Sequence, residues 1–577
     1  MRDRRYSWGA EPVGNGAWSF ALWAPGCDRI ALRLGGTDRP MTAGRDGWFT
    51  ATAAAAEGMP YAFVLPDGMA VPDPAARRQQ GDVHGASLLT APRQPAFWGS
   101  RPWEEAVIYE LHVGTFTAAG TLAAAAAELG RLAALGFTAI EIMPLAQFGG
   151  DRGWGYDGVL PYAPHNVYGT PGDLAGLVAA ANGHGLMVLL DVVYNHFGPD
   201  GNYLPLYAPD FLDPGRTTPW GAGIDYTQPP VRRFFIENAL YWLTEFGIDG
   251  LRIDAIDQIV DPSDPELLVE LATEIRRLGR PVHLTTEDNR NLTHLHARGP
   301  GGAVTGHTAE WNDDFHNAAH VLATGETEGY YGDFADDPLG LLGRALAEGF
   351  AFQGETGRGA PSGHLPPTAF VDFLQNHDQT GNRARGERLI ALSDPETLAV
   401  LTAILALSPH IPLFFMGEEY GEARPFTFFA HFGGALDEAV RSGRRAEFTG
   451  FQGFAAADIP DPIAWDTFAG ARLDPARRDS AAGRDHARQL RHLLGLRHRL
   501  IVPHLAGAPG HGGTLIEAAG GRLAVDWRLA GARLALRARF GPADLPAGAG
   551  VEINRTGSAK AAAEAVHYLA TGPDGGA

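Results

Sequence analysis

Cysteine is almost absent from the sequence: Cys27 is the only one among 577 residues, so no disulfide can form within the chain. A chain without disulfides suits a reducing compartment, and we expect the protein in the cytoplasm. The sequence also lacks any apolar run long enough to cross a bilayer. Its first residues, MRDRRYSWGAEPVG, carry charges but no apolar stretch of the kind that a secretory signal needs, so we expect neither a membrane partner nor export.

Positive charge is scarce as well. The chain has 46 basic and 67 acidic residues, a formal net charge of −21, and Lys560 is its only lysine. Nucleic acids and anionic membranes attract basic patches, so we expect neither as a partner. The balance suits a soluble enzyme that acts on a neutral substrate. The chain is too long for one hydrophobic core, which predicts two or three domains.

Short alternating strands are predicted at both ends of the chain. Residues 1–97 are predicted to form a β-sandwich, with strands such as Trp18–Trp23 and Tyr61–Leu65. The Pro-rich stretch Val71–Pro74 and the following loop are predicted to be an exit linker. Residues 500–577 are predicted to form a small β domain whose tail, from Thr571, is disordered.

Residues 98–499 alternate strands with helices. Eight strands are predicted, at Ala106–Phe116, Phe137–Leu145, Leu186–His196, Ile248–Ile256, Val282–Glu287, Thr308–Trp311, Ala369–Asn376 and Ile411–Met416. Such alternation predicts an α/β fold, a (β/α)8 TIM barrel with catalytic groups at the carboxyl ends of its strands. A doubly wound open sheet is the alternative, but no phosphate-binding glycine fingerprint follows a strand. A long loop at about residues 197–228 is predicted to be a small subdomain over the barrel mouth.

The fourth predicted strand carries an unusual charge pattern within the stretch GIDGLRIDAIDQ, residues 247–258. Side chains alternate along a strand, so Arg252 and Asp254 share one face. A nearby cation keeps a buried carboxylate ionised, which is the state that a glycosidase nucleophile requires. A structural ion pair at a strand end is the alternative.

Other predicted strands end in similar groups. Strand three ends in DVVYNH, strand five in TTEDN and strand seven in QNHDQ. The carboxyl ends of barrel strands meet around one pocket, so these side chains are expected to converge. Clustered carboxylates repel one another, which favours a functional role over a structural one.

Four motifs in this order, DVVYNH, GLRIDAI, TTED and FLQNHD, resemble those of the α-amylase superfamily, glycoside hydrolase family 13. The resemblance implies that Asp254 is the nucleophile, Glu287 the general acid and base, and Asp378 the stabiliser of the transition state. It further implies a sugar site formed by Arg252, His196, His377 and Tyr156. Asn195 stands where some α-amylases bind calcium, but the sequence shows no full ligand set, so we predict no metal and no cofactor.

Longer strings resemble one branch of that superfamily, the malto-oligosyltrehalose trehalohydrolases. They are FALWAP, VPDPAARRQ, FTFFAHF and WNDDFHNAAHVLATGETEGYYGDF. This branch cleaves the α-1,4 bond next to a terminal trehalose unit, so the resemblance implies a malto-oligosyltrehalose or α-glucan substrate. It also implies that the substrate site includes Asn312, Asp313, Asp314, Phe315, His316, His377, Gln379, Thr380, Gly381 and Asn382. Asp257, which is assigned to the same site, departs from the pattern because the branch more often has His there.

Two functional alternatives remain. A glycogen branching enzyme shares the amino-terminal module and the barrel but transfers the chain to a 6-hydroxyl. A barrel without catalysis, serving as a binding subunit, is disfavoured by the intact set of Asp254, Glu287 and Asp378. Asp314 is predicted to select the trehalose end of the substrate; the alternative is that it caps the following helix.

Overall fold

The computed structural model describes residues 4–95, 100–218, 221–448 and 459–572. Within these ranges no helix combines the length and the apolar character that crossing a membrane requires. The predicted boundary at residue 97 lies outside the described residues, as do residues 573–577 of the predicted disordered tail. Thr571, where that tail was predicted to begin, instead ends a strand.

The amino-terminal part is a pair of antiparallel sheets, as predicted. One sheet contains, in spatial order, Gly9–Gly14, Ala17–Trp23, Trp48–Ala54 and Thr42–Ala43. The other contains Thr37–Pro40, Ala31–Leu34, Pro60–Val64 and Ala70–Val71, with Ser87–Leu88 also pairing with Pro60–Val64. The sheets pack through aromatic rings, with Phe20 and Tyr61 at 5.4 Å between ring centroids. The aromatic residues of these strands therefore form the core of the sandwich.

The prediction of an exit linker at Val71–Pro74 is wrong. Val71 belongs to a strand, and both Val71 and Asp73 are fully buried. The Asp73 carboxylate accepts a hydrogen bond from the Tyr61 hydroxyl at 2.8 Å, and the Asp73 backbone N–H donates to the Ser87 hydroxyl at 3.0 Å. A buried carboxylate needs such partners, and they bind the segment into the sandwich.

The central part is a closed barrel of eight parallel strands, which confirms the predicted fold class. Its strands are Ile108–Leu111, Ala139–Ile142, Met187–Val192, Gly250–Ile253, His283–Thr286, Ala309–Trp311, Phe370–Phe373 and Ile411–Phe415. We number them one to eight in this order. Each lies inside a predicted strand, and the residues beyond their carboxyl ends form the mouth.

Helices surround the barrel. The longer ones are Leu122–Leu135, Pro171–Gly183, Pro229–Glu245, Leu267–Arg276, Asp313–Thr324, Pro338–Glu348, Pro395–Leu407, Gly434–Glu447 and Ala481–Leu496. Short ones are Val113–Phe116, Leu204–Tyr207, His377–Gly381, Leu389–Leu392, Trp465–Gly470 and Pro475–Arg478. Capping residues define the helix ends. Thr170 and Asp173 form a capping box at the start of Pro171–Gly183, and Gly136, with φ 110°, ends Leu122–Leu135.

The barrel interior has two layers. The lower layer is apolar and includes Ile108, Ala139, Met187, Leu189, Ala309, Val371, Ile411 and Leu413. Side chains alternate along a strand, so the interior residues two positions further on form the next layer towards the mouth. On strands one to four these are Glu110, Glu141, Asp191 and Arg252, all buried.

Two insertions flank the mouth. The predicted subdomain after strand three contains the hairpin Leu212–Thr218 and Gly221–Ile224, and its Arg216 donates to the Gln258 carbonyl beyond strand four at 2.8 Å. The segment after strand eight contains the helix Gly434–Glu447. A further hairpin, Ala146–Phe148 with Gly158–Pro164, follows strand two.

The carboxyl-terminal part is a five-stranded antiparallel sheet. Its strands in spatial order are Gly513–Ala519, Arg522–Leu529, Ala532–Phe540, Ala563–Thr571 and Val551–Gly557. Sequence analysis missed Ala563–Thr571, which lies between two other strands. The Trp527 indole N–H donates to the Leu346 carbonyl at 2.8 Å and so joins this sheet to a barrel helix.

Close packing of strand four predicts a steric limit at Gly250. A Cβ there would collide with the His283 carbonyl oxygen and lie 2.7 Å from Leu189 Cδ2. We expect Gly250→Ala to lower the free energy of unfolding by about 1–3 kcal/mol or more, because it overpacks the barrel. Urea denaturation followed by circular dichroism measures this change.

Gly176→Ala is the matched control. Gly176 is exposed within the helix Pro171–Gly183, and a Cβ there would contact nothing within 4 Å. This change should leave the stability unchanged or raise it by up to about 1 kcal/mol, since alanine favours the helix. Equal stability of the two variants would show that strand four is less tightly packed than described.

Candidate active site

Arg252 is the centre of the polar layer at the barrel mouth. Its guanidinium is fully buried and lies 2.7 Å from each of three carboxylates, those of Asp191, Asp254 and Glu287. The guanidinium carbon stands 4.1 Å from the centroid of the Trp311 ring, so an aromatic face covers it. This geometry confirms the predicted pairing of Arg252 with Asp254 and extends it to two further groups.

Asp254 is fixed from two sides at the end of strand four. One oxygen contacts Arg252, and the other accepts a hydrogen bond from the Asn195 amide at 2.8 Å. The next residue, Ala255, has φ 40°, a left-handed conformation that turns the chain away from the strand. The Ala255 backbone N–H then donates to Glu287 at 2.9 Å, which links the two carboxylate strands.

Glu287 lies in an environment that favours the protonated form of its carboxyl group. Burial raises the pKa of Glu287 well above its usual range. The Arg252 charge opposes this shift, but the negative charges of Asp378 and Asp254 add to it. A carboxyl group that remains protonated at neutral pH can donate a proton to a leaving group.

Asp378 has the opposite electrostatic environment. Burial raises the pKa of Asp378, but the charge and hydrogen bond of His377 and the charge of Arg252 outweigh burial and lower it to about 2. The helix His377–Gly381 also begins here, and its cap residue Asn376 accepts the Asp378 backbone N–H at 2.8 Å. Asp378 is therefore an ionised carboxylate beside a protonated Glu287.

His377 lies beneath these carboxylates. Burial lowers the pKa of its imidazole, but the negative charges of Asp378 and Glu110 together raise it well above the usual range. Its Nδ1 contacts the Glu110 carboxylate, and its Nε2 lies 3.4 Å from Asp378. The ring stacks on Tyr156 at 5.0 Å between centroids, so both rings form part of the floor.

Tyr156 and His196 complete this side of the site. The Tyr156 hydroxyl donates to Asp191 at 2.6 Å, and its carbonyl oxygen lies 2.9 Å from His196 Nε2. Burial raises the pKa of Asp191 to about 6 against the attraction of Arg252. The structure thus brings Tyr156, His196 and Arg252 together as the sequence predicts.

A cleft of about 1080 Å³ opens from Glu287 and Asp378. Asp313, Gln379 and Asn382 line it, and the Gln379 amide donates to Asp313 at 3.1 Å. Burial and the neighbouring charges of Asp378 and Asp314 raise the pKa of Asp313 to about 7. These are three of the predicted substrate residues, and the size of the cleft suits a sugar chain.

Other predicted substrate residues are buried below the cleft surface. They are Asn312, Asp314, Phe315, His316 and Thr380, with Gly381 packed against Trp154. The side chains of these residues are engaged inside the protein, and their place in the substrate site stays a prediction. His316, for example, contacts the Leu374 carbonyl at 2.6 Å and the Tyr331 hydroxyl at 3.1 Å.

Of the two predictions for Asp314, the helix cap is wrong, and selection of the trehalose end stays a prediction. The helix Asp313–Thr324 is capped by Asn312, whose side chain accepts the Phe315 N–H. Asp314 instead accepts backbone N–H groups from Ala351 and Phe352 at 2.9 and 3.0 Å and pairs with Arg358. Since Arg358 lines the cleft, Asp314 can influence the substrate only through that guanidinium.

Asp257 and Asn195 have local partners. The half-buried Asp257 carboxylate accepts the Gln258 amide at 2.7 Å, and Asp257 is not among the described residues that line the cleft. The Asn195 side-chain amide N–H donates to Asp254, and its oxygen contacts His196 Nδ1. Because that oxygen is already engaged, Asn195 is poorly placed as a calcium ligand. Across the described ranges, no cluster of three or more His, Cys, Asp or Glu side chains could hold a metal. The absence of a metal requirement stays a prediction.

Sequence analysis missed Glu110, Glu141 and Arg358. Glu110 and Glu141 are register partners on strands one and two. Each stands two residues after an apolar residue of the barrel interior. That alternation is a signal that could have placed them inside the barrel. Arg358 comes from a glycine-rich segment without periodicity, and no sequence signal points to it.

The arrangement places three groups around one opening: the Asp254 carboxylate, the Glu287 carboxyl group with its raised pKa, and the Asp378 carboxylate with its lowered pKa. One guanidinium bridges Asp254 and Glu287, which is possible only when the two groups are close. Close pairs suit attack by one group and protonation by the other. The site can therefore cleave a glycosidic bond by double displacement.

Comparison with known proteins agrees with this chemistry. A family model for the alpha-amylase catalytic domain matches residues 80–205. The malto-oligosyltrehalose trehalohydrolase of Deinococcus radiodurans is 43% identical over 85% of this chain and 82% of that protein. The same enzyme of Mycobacterium tuberculosis is 40% identical over 81% of this chain and 83% of its own length.

A solved structure covers almost the whole chain. It is a protein from Salmonella typhimurium, provisionally described as an alpha amylase, with 51% identity, a TM-score of 0.95 and coverage of 98% of this chain and 100% of that one. The 1,4-alpha-glucan branching enzyme of Rhodospirillum rubrum is 33% identical but aligns with 43% of this chain and 39% of its own. The branching enzyme is thus similar over less than half of either protein.

Proposed function

The chain belongs to the malto-oligosyltrehalose trehalohydrolase family of alpha-amylase-type glycosidases, and we propose that it hydrolyses malto-oligosyltrehalose. The bond cleaved is the α-1,4 bond next to the terminal trehalose unit, so trehalose is released. The observation that carries the proposal is the bridge from Arg252 to both Asp254 and Glu287 beneath an open cleft.

In the first step, Asp254 attacks the anomeric carbon while Glu287 protonates the oxygen of the departing trehalose. Arg252 and the Asn195 amide hold Asp254 so that one oxygen can reach the sugar. The raised pKa of Glu287 keeps its proton available. This step forms a covalent glycosyl-enzyme with the malto-oligosaccharide.

In the second step, a water molecule replaces trehalose. Glu287, now deprotonated, takes a proton from that water as it attacks the anomeric carbon and frees Asp254. Asp378, whose pKa is lowered to about 2, supplies a fixed negative charge while positive charge develops on the sugar ring. The products are trehalose and a malto-oligosaccharide shortened at that end, formed with retention of configuration.

Selection of the trehalose end is assigned to the cleft beside Glu287. Arg358 and Asp313 line that cleft, and Asp314 orients Arg358 from below. Polar groups that only the right sugar can pair give large discrimination. We also propose cytoplasmic action without metal or cofactor, and three domains at 1–97, 98–499 and 500–577.

Product identification tests the function. Maltotriosyltrehalose is incubated with the protein, and the products are separated by anion-exchange chromatography. The proposal predicts trehalose and maltotriose in equal amounts, with little hydrolysis of maltopentaose. Glucose or maltose as the main product would contradict it.

The branching enzyme alternative has its own signature. Incubation with amylose would create α-1,6 branch points, which isoamylase digestion followed by chain-length analysis detects. This alternative is supported by the partial sequence similarity between this chain and the branching enzyme. New branches without release of trehalose would favour it over the proposal.

Two carboxylate variants distinguish the roles of Asp254 and Glu287. Asp254→Asn removes the attacking charge, and Glu287→Gln removes the proton donor. We expect each to lower kcat by at least about a thousandfold on maltotriosyltrehalose. An α-glucosyl fluoride needs little protonation to leave, so its first step should recover substantially in Glu287→Gln and stay slow in Asp254→Asn.

The measurement is release of fluoride in the first turnover, followed with an ion-selective electrode. Gly176→Ala serves as a control because Gly176 lies on the helix Pro171–Gly183 and is not among the described residues that line the cleft. Equal recovery of the two carboxylate variants would mean that the roles are wrongly assigned.

A further inference from the structure

Glu110 is a buried carboxylate for which the reaction described so far has no use. It is the last but one residue of strand one and lies inside the barrel, where its exposed fraction is 1%. One oxygen accepts the His377 backbone N–H at 3.1 Å, and the other contacts the His377 ring at Nδ1. The two residues are 267 positions apart in the chain, so only the closed barrel brings them together.

His377 in turn faces Asp378. Its Nε2 lies 3.4 Å from the Asp378 carboxylate, within ion-pair distance. The Tyr156 ring stacks on one side of the imidazole, and the Trp154 ring stands edge-on at 5.5 Å. The ring is thus held by contacts on several sides, and in the part of the chain that the structure describes its ionic contacts are Glu110 and Asp378.

The neighbouring carboxyl group on strand two has a different environment. Glu141 is the register partner of Glu110, yet neither of its oxygens has a hydrogen-bond partner among the described residues. Burial and the charges of Glu110 and Asp191 raise the pKa of Glu141 well above its usual range. Two carboxyl groups at equal depth therefore differ, since one pairs with His377 and the other is neutral.

We propose that Glu110 is a positioning residue for hydrolysis, holding His377 as an imidazolium that fixes the Asp378 carboxylate in the site. Removal of the Glu110 charge would let the imidazole lose its proton, because a cation buried without its partner is costly. Asp378 would then lose the neighbouring charge that keeps it ionised and oriented. Glu110 acts only through His377 and touches no substrate. The inference rests on the proposed glycosidase function.

Other charges act on His377 as well. From strands two and three, Glu141 and Asp191 affect it through space, and from beyond strand one the neutral His112 lies nearby. Of these groups, Glu110 alone contacts the ring directly. Its loss should therefore dominate the pH response.

Glu110→Gln is the direct test, because the amide keeps the shape and an oxygen acceptor but removes the charge. Release of trehalose from maltotriosyltrehalose is measured from about pH 4 to 9, with kcat and KM determined separately. We expect kcat to fall about 10- to 100-fold, as for other buried groups that orient a histidine, while KM changes less than about threefold. A histidine that loses its anionic partner deprotonates at lower pH, so the alkaline limb of the profile should move to lower pH.

Glu141→Gln is the matched control. It makes the same change on the adjacent strand at the same depth, but it replaces a carboxyl group that is already neutral. Its kcat and pH profile should stay within about twofold of the unchanged protein. Equal effects of the two substitutions would show that any change in this layer disturbs the barrel, and would overturn the proposal.

A double variant separates positioning from packing and remains informative if Glu110→Gln folds poorly. His377→Asn removes the imidazole, and Glu110→Gln is then added, so both members of the pair are lost together. If Glu110 acts through His377, the double variant turns over at the rate of His377→Asn alone. A further loss of tenfold or more, or a Glu110→Gln profile with an unmoved alkaline limb, would contradict the proposal. Absence of trehalose release by the unchanged protein would instead contradict the proposed function.

Discussion

A single buried guanidinium determines how the site works. Arg252 contacts Asp191, Asp254 and Glu287 at 2.7 Å each. Three negative charges so close would repel one another strongly, and one positive charge cannot neutralise them all. Burial and the charges of Asp378 and Asp254 favour the neutral form of Glu287, although the Arg252 charge opposes this. The role of proton donor that we propose for Glu287 depends on this balance.

The architecture serves to hold that guanidinium out of water. Apolar residues fill the lower barrel, so the charged layer above them is sealed from beneath. Trp311 covers one face of Arg252, and the turn at Ala255 delivers a backbone N–H to Glu287. The second ionic chain, from Glu110 through His377 to Asp378, approaches from the other side of the barrel. Asp254, Glu287 and Asp378 thus each contact Arg252 or His377, and these two side chains also pair with the further carboxylates Asp191 and Glu110.

Much of this could be predicted from the sequence, for identifiable reasons. The eight barrel strands follow from local apolar runs between helices, and Arg252 and Asp254 follow from strand alternation. What could not be predicted depends on contacts between distant segments. Glu110 meets His377 only when strands one and seven close into one barrel. Asp314 pairs with Arg358, which lies in a loop further along the chain. Val71–Pro74 resembles a linker locally, yet the Tyr61 hydroxyl gives Asp73 a buried partner. Polar residues next to a strand end can face the cleft or the core, and the sequence does not distinguish Asp313 from Asp314.

The protonation state of Glu287 tests the central claim most directly. Carbon-13 NMR of protein labelled at the glutamate carboxyl carbons, with Glu287→Gln used to assign the resonance, reports that state as the pH is varied. The account predicts that Glu287 keeps the chemical shift of a protonated carboxyl group at about pH 6, well above the usual glutamate pKa of about 4.3. A Glu287 resonance that titrates near pH 4, as in an exposed glutamate, would contradict the claim that burial and the neighbouring carboxylates keep Glu287 protonated against the attraction of Arg252.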